Sequence, residues 1–243
     1  MNIKDTNPFF YKTASNISII TLHGYLESCY SMSYFNQVFQ DHKFNVQSPN
    51  LSGHAGKYSD LHNVKYQDWI NQVENLYKEI NPGNKIFIIG HSLGGMLALY
   101  MAQLYNLSGL IVINPLFDKL PLSMMMTPIG KYFIKYVPNL KPDIKNKHQI
   151  FAYDKISSWN TSEIIKLSYL TRKNINKIKC PILIFKSIND HRVNRENSER
   201  IMQNISSKKK VIIDLYNSYH IAPMDYEKEF IIDMIVKFIN EVK

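Results

Sequence analysis

The 243-residue chain has only two cysteines, Cys29 and Cys180. Two thiols cannot build a disulfide framework, and without other residue types they cannot complete a four-ligand zinc site. Long apolar runs are missing too. None approaches the roughly 18 residues of a membrane span, and the longest, such as Gly109–Phe117, are broken by Asn114 and Pro115. The opening Met1-Asn2-Ile3-Lys4-Asp5 lacks the charged-then-apolar pattern and cleavage site of a signal peptide. Arginine is scarce: of 29 basic residues only Arg172, Arg192, Arg195 and Arg200 carry a guanidinium. The expectation is a soluble, cytoplasmic globular protein whose thiols stay reduced.

The formal net charge of +9 points toward polyanions, but the lysines are mostly scattered singly, with Lys208-Lys209-Lys210 as the longest run. Scattered Lys makes a solvated surface, whereas Arg is the usual reader of phosphates and bases. No nucleic-acid partner is therefore expected. A weak contact with an anionic membrane surface is compatible with the charge.

Against this background the apolar residues, 45% of the chain, fall into an alternation of strands and helices. Short β-branched runs at Ile17–Leu22, Phe44–Leu51, Lys85–Ile89, Leu107–Asn114, Cys180–Lys186 and Val211–Tyr216 read as buried strands. Helical spacing marks Ser31–Asp41, Tyr66–Ile80, Leu93–Tyr105 and Tyr226–Val242. Strands separated by helices predict an α/β fold with a mostly parallel sheet covered on both faces. One stretch breaks the alternation. Residues 116–176 hold Met124-Met125-Met126, four prolines (Pro121, Pro128, Pro138, Pro142) and aromatics including Phe133, Tyr136 and Trp159, with helical patches but no core strand. Too long for a plain loop, they are expected to form a small helical cap inserted in a core made of residues 1–115 and 177–243.

The chemistry is concentrated in Gly90-His91-Ser92-Leu93-Gly94, set between a predicted strand and a predicted helix. A sharp strand-to-helix turn strains the central residue and leaves no room for side chains on its neighbours, hence glycines two residues to either side. Such a turn lifts the Ser92 hydroxyl to a helix N-terminus, where free N–H groups favour developing negative charge. Serine needs a base, and the base an orienting acid. Asp190, just past the predicted strand ending at Lys186, and His220, just past the next, would both project onto the sheet edge where Ser92 stands. Asp118, after Pro115, is an alternative acid. Of the eight histidines, only His220 follows the last strand; His23, His54 and His91 lie at or beside functional loops, His191 precedes the last strand, and His42, His62 and His148 look like surface residues. The backbone N–H groups of Leu93 and of Tyr25, which follows Gly24, are the candidate oxyanion hole.

The set His23-Gly24-Tyr25, Gly90-His91-Ser92-Leu93-Gly94-Gly95, Ile188-Asn189-Asp190 and Ser218-Tyr219-His220 resembles the α/β-hydrolase superfamily of serine esterases. More narrowly it is similar to small bacterial carboxylesterases and monoacylglycerol lipases. Pro49-Asn50-Leu51-Ser52-Gly53-His54 and Asp68-Trp69 fit the same family. The resemblance implies the α/β-hydrolase fold, a Ser92, Asp190, His220 triad, oxyanion donors at Tyr25 and Leu93, and no metal or organic cofactor. Two departures stand out. Tyr219 replaces the family's frequent glycine before the catalytic histidine, and His54-Ala55-Gly56 replaces Gly-His-Gly; both are expected to reshape the pocket.

The cap residues Met124, Met125 and Ile129, with His54 at the rim, are the candidate substrate contacts, since flexible methionine suits acyl chains of several lengths. The expected substrate is a small or lipid-like ester. The same triad would also serve a thioesterase or lysophospholipase, and a catalytically idle lipid-binding fold is the remaining alternative.

Overall fold

Apolar side chains point from both faces of almost every core strand, and this places the sheet in the middle of the molecule. The computed structural model describes residues 6–120, 122–146 and 153–243. Pro121 and His148, which the sequence assigns to the cap and the surface, lie outside them, as do Met1–Asp5. In chain order the elements are β1 (Phe9–Tyr11), β2 (Ile17–Leu22), α1 (Ser33–Asp41), β3 (Asn45–Ser48), α2 (Tyr66–Glu79), β4 (Lys85–His91), α3 (Leu93–Leu104) and β5 (Gly109–Ile113). The inserted segment holds α4 (Leu122–Met125), α5 (Thr127–Gly130), β6 (Tyr136–Pro138), β7 (Lys155–Ser157) and α6 (Ser158–Lys173). The chain closes with β8 (Ile182–Ser187), α7 (Glu196–Asn204), β9 (Lys210–Leu215) and α8 (Lys228–Val242).

The central sheet has seven strands in the order β1-β3-β2-β4-β5-β8-β9. Only β1 runs antiparallel to its neighbour; every other pairing is parallel. The alternation of side chains along each strand splits the core in two. Ile20, Ile88, Val112 and Ile184 face one layer, built from α2, α3, α6 and α7. Ile19, Phe87, Ile111 and Leu183 face the other, built from α1 and α8. Helix α3 is apolar all round because it is enclosed all round: Leu93 through Leu99, Met101 and Ala102 are buried.

The sequence-based strands and long helices recur here within a few residues at their ends. Strand β1, helix α7 and the small antiparallel pair β6–β7 are additions. Helix α7 is amphipathic, but Ile201 and Met202 are its only apolar residues, too few to show a repeat. In the inserted segment, Ile164 and Leu167 of α6 join the same buried cluster as α3. The parts before α6 stand farther out, with Leu122, Met126, Ile129 and Phe133 exposed. Among the described residues, no helix is long and apolar enough to cross a membrane.

Candidate active site

Ser92 sits between β4 and α3 with φ 52° and ψ −111°. An L-residue rarely adopts that conformation, and it is held by what surrounds it. Ser92 N–H donates to Ile113 O at 3.0 Å, and Ser92 O accepts from the N–H groups of Met96 and Leu116, each at 3.1 Å. The flanking glycines are required by contact. A Cβ on Gly90 would stand 2.2 Å from Gly94 O, and one on Gly94 would stand 2.2 Å from Leu22 O. The turn therefore presses directly against the end of β2, the strand that delivers His23, Gly24 and Tyr25.

Parallel pairing brings the ends of β4, β5, β8 and β9 to one edge, so residues distant in sequence meet there. His220 Nε2 lies 3.0 Å from Ser92 Oγ, and His220 Nδ1 lies 2.7 Å from Asp190 Oδ2. The other Asp190 oxygen accepts the N–H groups of Arg192 and Val193, both at 2.8 Å. Burial alone would raise the Asp190 carboxyl, but the His220 charge and hydrogen bond, with those two N–H groups, outweigh it and hold the carboxyl below its ordinary value. For His220 burial acts downward. The adjacent Asp190, aided by Glu27 and Asp143, overcomes it and raises the imidazole above 6.5.

The loop bearing His220 is tied at its peptide groups. Asn114 Nδ2 donates to His220 O at 2.8 Å, and His91 Nε2 stands 2.8 Å from the same oxygen. Asp143, from the inserted segment, accepts the His220 N–H at 3.2 Å and the His191 N–H at 3.0 Å. Asp225, fully buried, accepts N–H groups from Tyr219, Lys145 and Asn146. The inserted segment is thus stitched to the histidine loop by two carboxylates.

The His54 ring packs edge-on to both Tyr25 and His23. His23 Nδ1 donates to Gly24 O at 2.8 Å while Nε2 accepts the Leu51 N–H at 2.9 Å, which is the neutral ring. Burial drives the His23 imidazole down to about 4 and that of His54 to about 3. Glu27 is held at about 2: burial pushes it up, but the charge and hydrogen bond of His91 prevail.

Of the candidates read from the sequence, Ser92, Asp190 and His220 meet, and the His54 ring packs edge-on to Tyr25 at 5.9 Å between centroids. Tyr25 and Leu93 begin the loop and the helix that flank Ser92, and among the described residues neither backbone N–H has a protein acceptor. Met124 packs against the core, whereas Met125 and Ile129 face solvent. Asp118, the alternative acid, is engaged instead by Arg200 Nε at 2.5 Å. Cys29 and Cys180 are free, and burial pushes both thiols up to about 11, far from a nucleophilic thiolate. An open cleft of about 510 Å³ borders the Asp190 loop between Leu120 and Arg195, but neither Ser92 nor His220 lines it. Glu27, Asn114, Asp143 and Asp225 carry no sequence motif, and only the folded contacts reveal them.

A serine on a strained strand-to-helix turn, with histidine and aspartate at the ends of neighbouring parallel strands, defines the α/β-hydrolase class. Within it, the chain belongs to the serine aminopeptidase S33 family of hydrolases, whose sequence profile matches residues 14–227. It is 32% identical over 232 residues to a thermostable monoacylglycerol lipase from Bacillus sp. (strain H-257), covering 94% of this chain and 92% of that one. A structure of the metagenome-derived lipolytic enzymes LipS and LipT superposes with a TM-score of 0.91 at 24% identity, over 98% of this chain and 99% of the other. The monoacylglycerol lipase of Paleococcus ferrophilus matches with a TM-score of 0.82 at 18% identity, over 98% and 99% of the respective chains. The chain is a serine esterase/lipase-like α/β-hydrolase.

Proposed function

We propose that this protein hydrolyses carboxylic esters of small or lipid-like alcohols, with monoacylglycerols as the leading substrate class, through a Ser92–His220–Asp190 triad. The observation that carries the reading is the pair of contacts on one imidazole, 3.0 Å to Ser92 Oγ and 2.7 Å to Asp190 Oδ2. Ser92 attacks the ester carbonyl while His220 takes its proton, and Asp190 stabilises the resulting imidazolium. The N–H groups of Tyr25 and Leu93 receive the oxyanion. His220 then protonates the leaving alcohol, and the acyl group stays on Ser92. Water, deprotonated by His220, completes the cycle and frees the carboxylic acid. The substrate class is supported by the 32% identical relative, itself a monoacylglycerol lipase.

The reading extends to the inserted segment. Residues 116–176 act as a cap that presents Met124, Met125 and Ile129 to the acyl chain, with His54 shaping the floor beside Tyr25. The exposed apolar side chains of Leu122, Met126 and Phe133, on a chain of net charge +9, suit a face that rests weakly on anionic lipid. Two free thiols fit a reducing, cytoplasmic setting.

The test is hydrolysis of p-nitrophenyl esters from acetyl to palmitoyl and of 1-monoacylglycerols, with acyl thioesters, lysophospholipids and aminoacyl p-nitroanilides beside them. Ser92→Ala is expected to lower kcat by about 10⁴-fold or more on every ester that wild type cleaves. Wild type that turns over only thioesters or anilides would displace the ester reading, turnover of lysophospholipids alone would displace the monoacylglycerol substrate class, and binding of lipid without turnover would leave an idle fold.

A further inference from the structure

Directly behind the triad lies a buried carboxylate–imidazole pair that the reaction steps leave unused. Glu27 follows β2, and His91 ends β4 immediately before Ser92; their side chains are 7% and 0% exposed. His91 Nδ1 stands 3.1 Å from one Glu27 oxygen and 3.2 Å from the other, and the second oxygen also accepts the Gly24 N–H at 3.2 Å. The opposite ring nitrogen, Nε2, lies 2.8 Å from His220 O. A carboxylate and a carbonyl are both acceptors, so each His91 ring nitrogen faces an acceptor.

We propose that Glu27 and His91 form a positioning pair: Glu27 keeps His91 a double donor, and its Nε2–H pins the His220 carbonyl, setting the His220 ring in line with Ser92 Oγ. His220 belongs to no helix or strand, so its place depends on bonds at its own peptide group, from Asp143 on the N–H side and from His91 and Asn114 on the carbonyl side. A misplacement of about 1 Å costs about 100-fold in rate. The pairing also solves an electrostatic problem. The His91 and His220 rings lie 4.9 Å apart, and a lone cation there would oppose the charge that His220 acquires during acylation. Glu27 cancels it. The groups acting electrostatically on this cluster are Asp190 and Asp143 on the His220 side and His23 and His54 on the Glu27 side.

The inference rests on the triad proposed above, and two double variants isolate the donor without leaving a buried charge. Glu27→Gln/His91→Gln retains an N–H able to reach His220 O; Glu27→Gln/His91→Leu has none. With p-nitrophenyl butyrate, the Gln double is expected within about threefold of wild-type kcat, and the Leu double about tenfold or more below it. KM should stay within about twofold in both. The far-downfield proton signal of His220 Nδ1–H should persist in the Gln double and weaken in the Leu double. If the Leu double fails to fold, Glu27→Gln/His91→Asn, too short to reach His220 O, takes its place with the same expectation. Equal kcat in the two doubles, within about twofold, overturns the positioning pair. Ser92→Ala separates the failures: activity surviving there overturns the triad, whereas equal doubles beside an inactive Ser92→Ala overturn the pair alone.

Discussion

Burial and charge pull His220 in opposite directions, and the balance sets the pH at which it can accept a proton. Desolvation favours the neutral ring, Asp190 favours the imidazolium, and Asp190 wins, so the pKa is raised. A raised histidine is protonated over more of the acid range, so the acid limb of kcat/KM should lie above 6.5, with activity lost as pH falls through it. Replacing Asp190 by Asn removes the largest raising charge and leaves burial opposed only by the smaller pulls of Glu27 and Asp143. The limb should then move to lower pH, while kcat drops by about two to four orders of magnitude as the ring loses its orienting partner. A pH–rate series on both proteins checks the sign; an unmoved limb in Asp190→Asn would mean another group sets it. The same reasoning explains why His23 and His54, equally buried but without a carboxylate at hydrogen-bonding distance, are driven to about 4 and about 3. Residue type does not distinguish these histidines; their neighbours do.

The strand β4, the turn at Ser92 and the helix α3 form one device whose tolerances are set by backbone contact. A methyl group on Gly94 would meet Leu22 O at 2.2 Å and His23 O at 2.6 Å. Relief requires either α3 or the end of β2 to move, and the end of β2 leads into the Tyr25 N–H. Gly94→Ala should therefore cost about 1–3 kcal/mol and lower kcat more than it changes KM. Gly130, at the end of α5, has nothing within 4 Å of the same methyl, so Gly130→Ala should stay within about 0.5 kcal/mol. Urea unfolding and steady-state kinetics on the two variants test the contrast, and comparable losses in both would refute it. This device was readable beforehand because its constraint is local: two glycines bracket Ser92, and an apolar strand and helix flank them. Helix α7 was not, since Ile201 and Met202 are its only apolar residues, too few to repeat at helical spacing. The pair β6–β7, three residues per strand, is too short to show a period.

Across the whole molecule, charge and apolar exposure converge on the inserted segment. Phe133 is 84% exposed and Ile129 74% exposed, unusual for large apolar side chains close together in sequence. Binding to vesicles containing phosphatidylserine should exceed binding to phosphatidylcholine vesicles and weaken as salt rises from about 0.05 to 0.5 M. Phe133→Asp should reduce it, with kcat on a short soluble ester unchanged. Equal affinity for both vesicle types, indifferent to salt, would reject the contact.

The α/β class, the main strands, the long helices and the strand-to-helix turn at Ser92 could be read in one dimension. Each rests on a local regularity, whether alternation along a strand, helical spacing, or glycines around a serine, that neighbouring residues impose on one another. Chain order also nominated Asp190 and His220. The sequence favours Asp190 with Asp118 as an alternative, and in the fold Asp190 lies against His220 while Asp118 turns to Arg200. Folding alone set Glu27 under His91, 64 residues apart in sequence, and bound Asp143 to the His220 loop, 77 residues away. A hydrogen bond depends on separation in space, and over such lengths of chain only the packed core determines that separation.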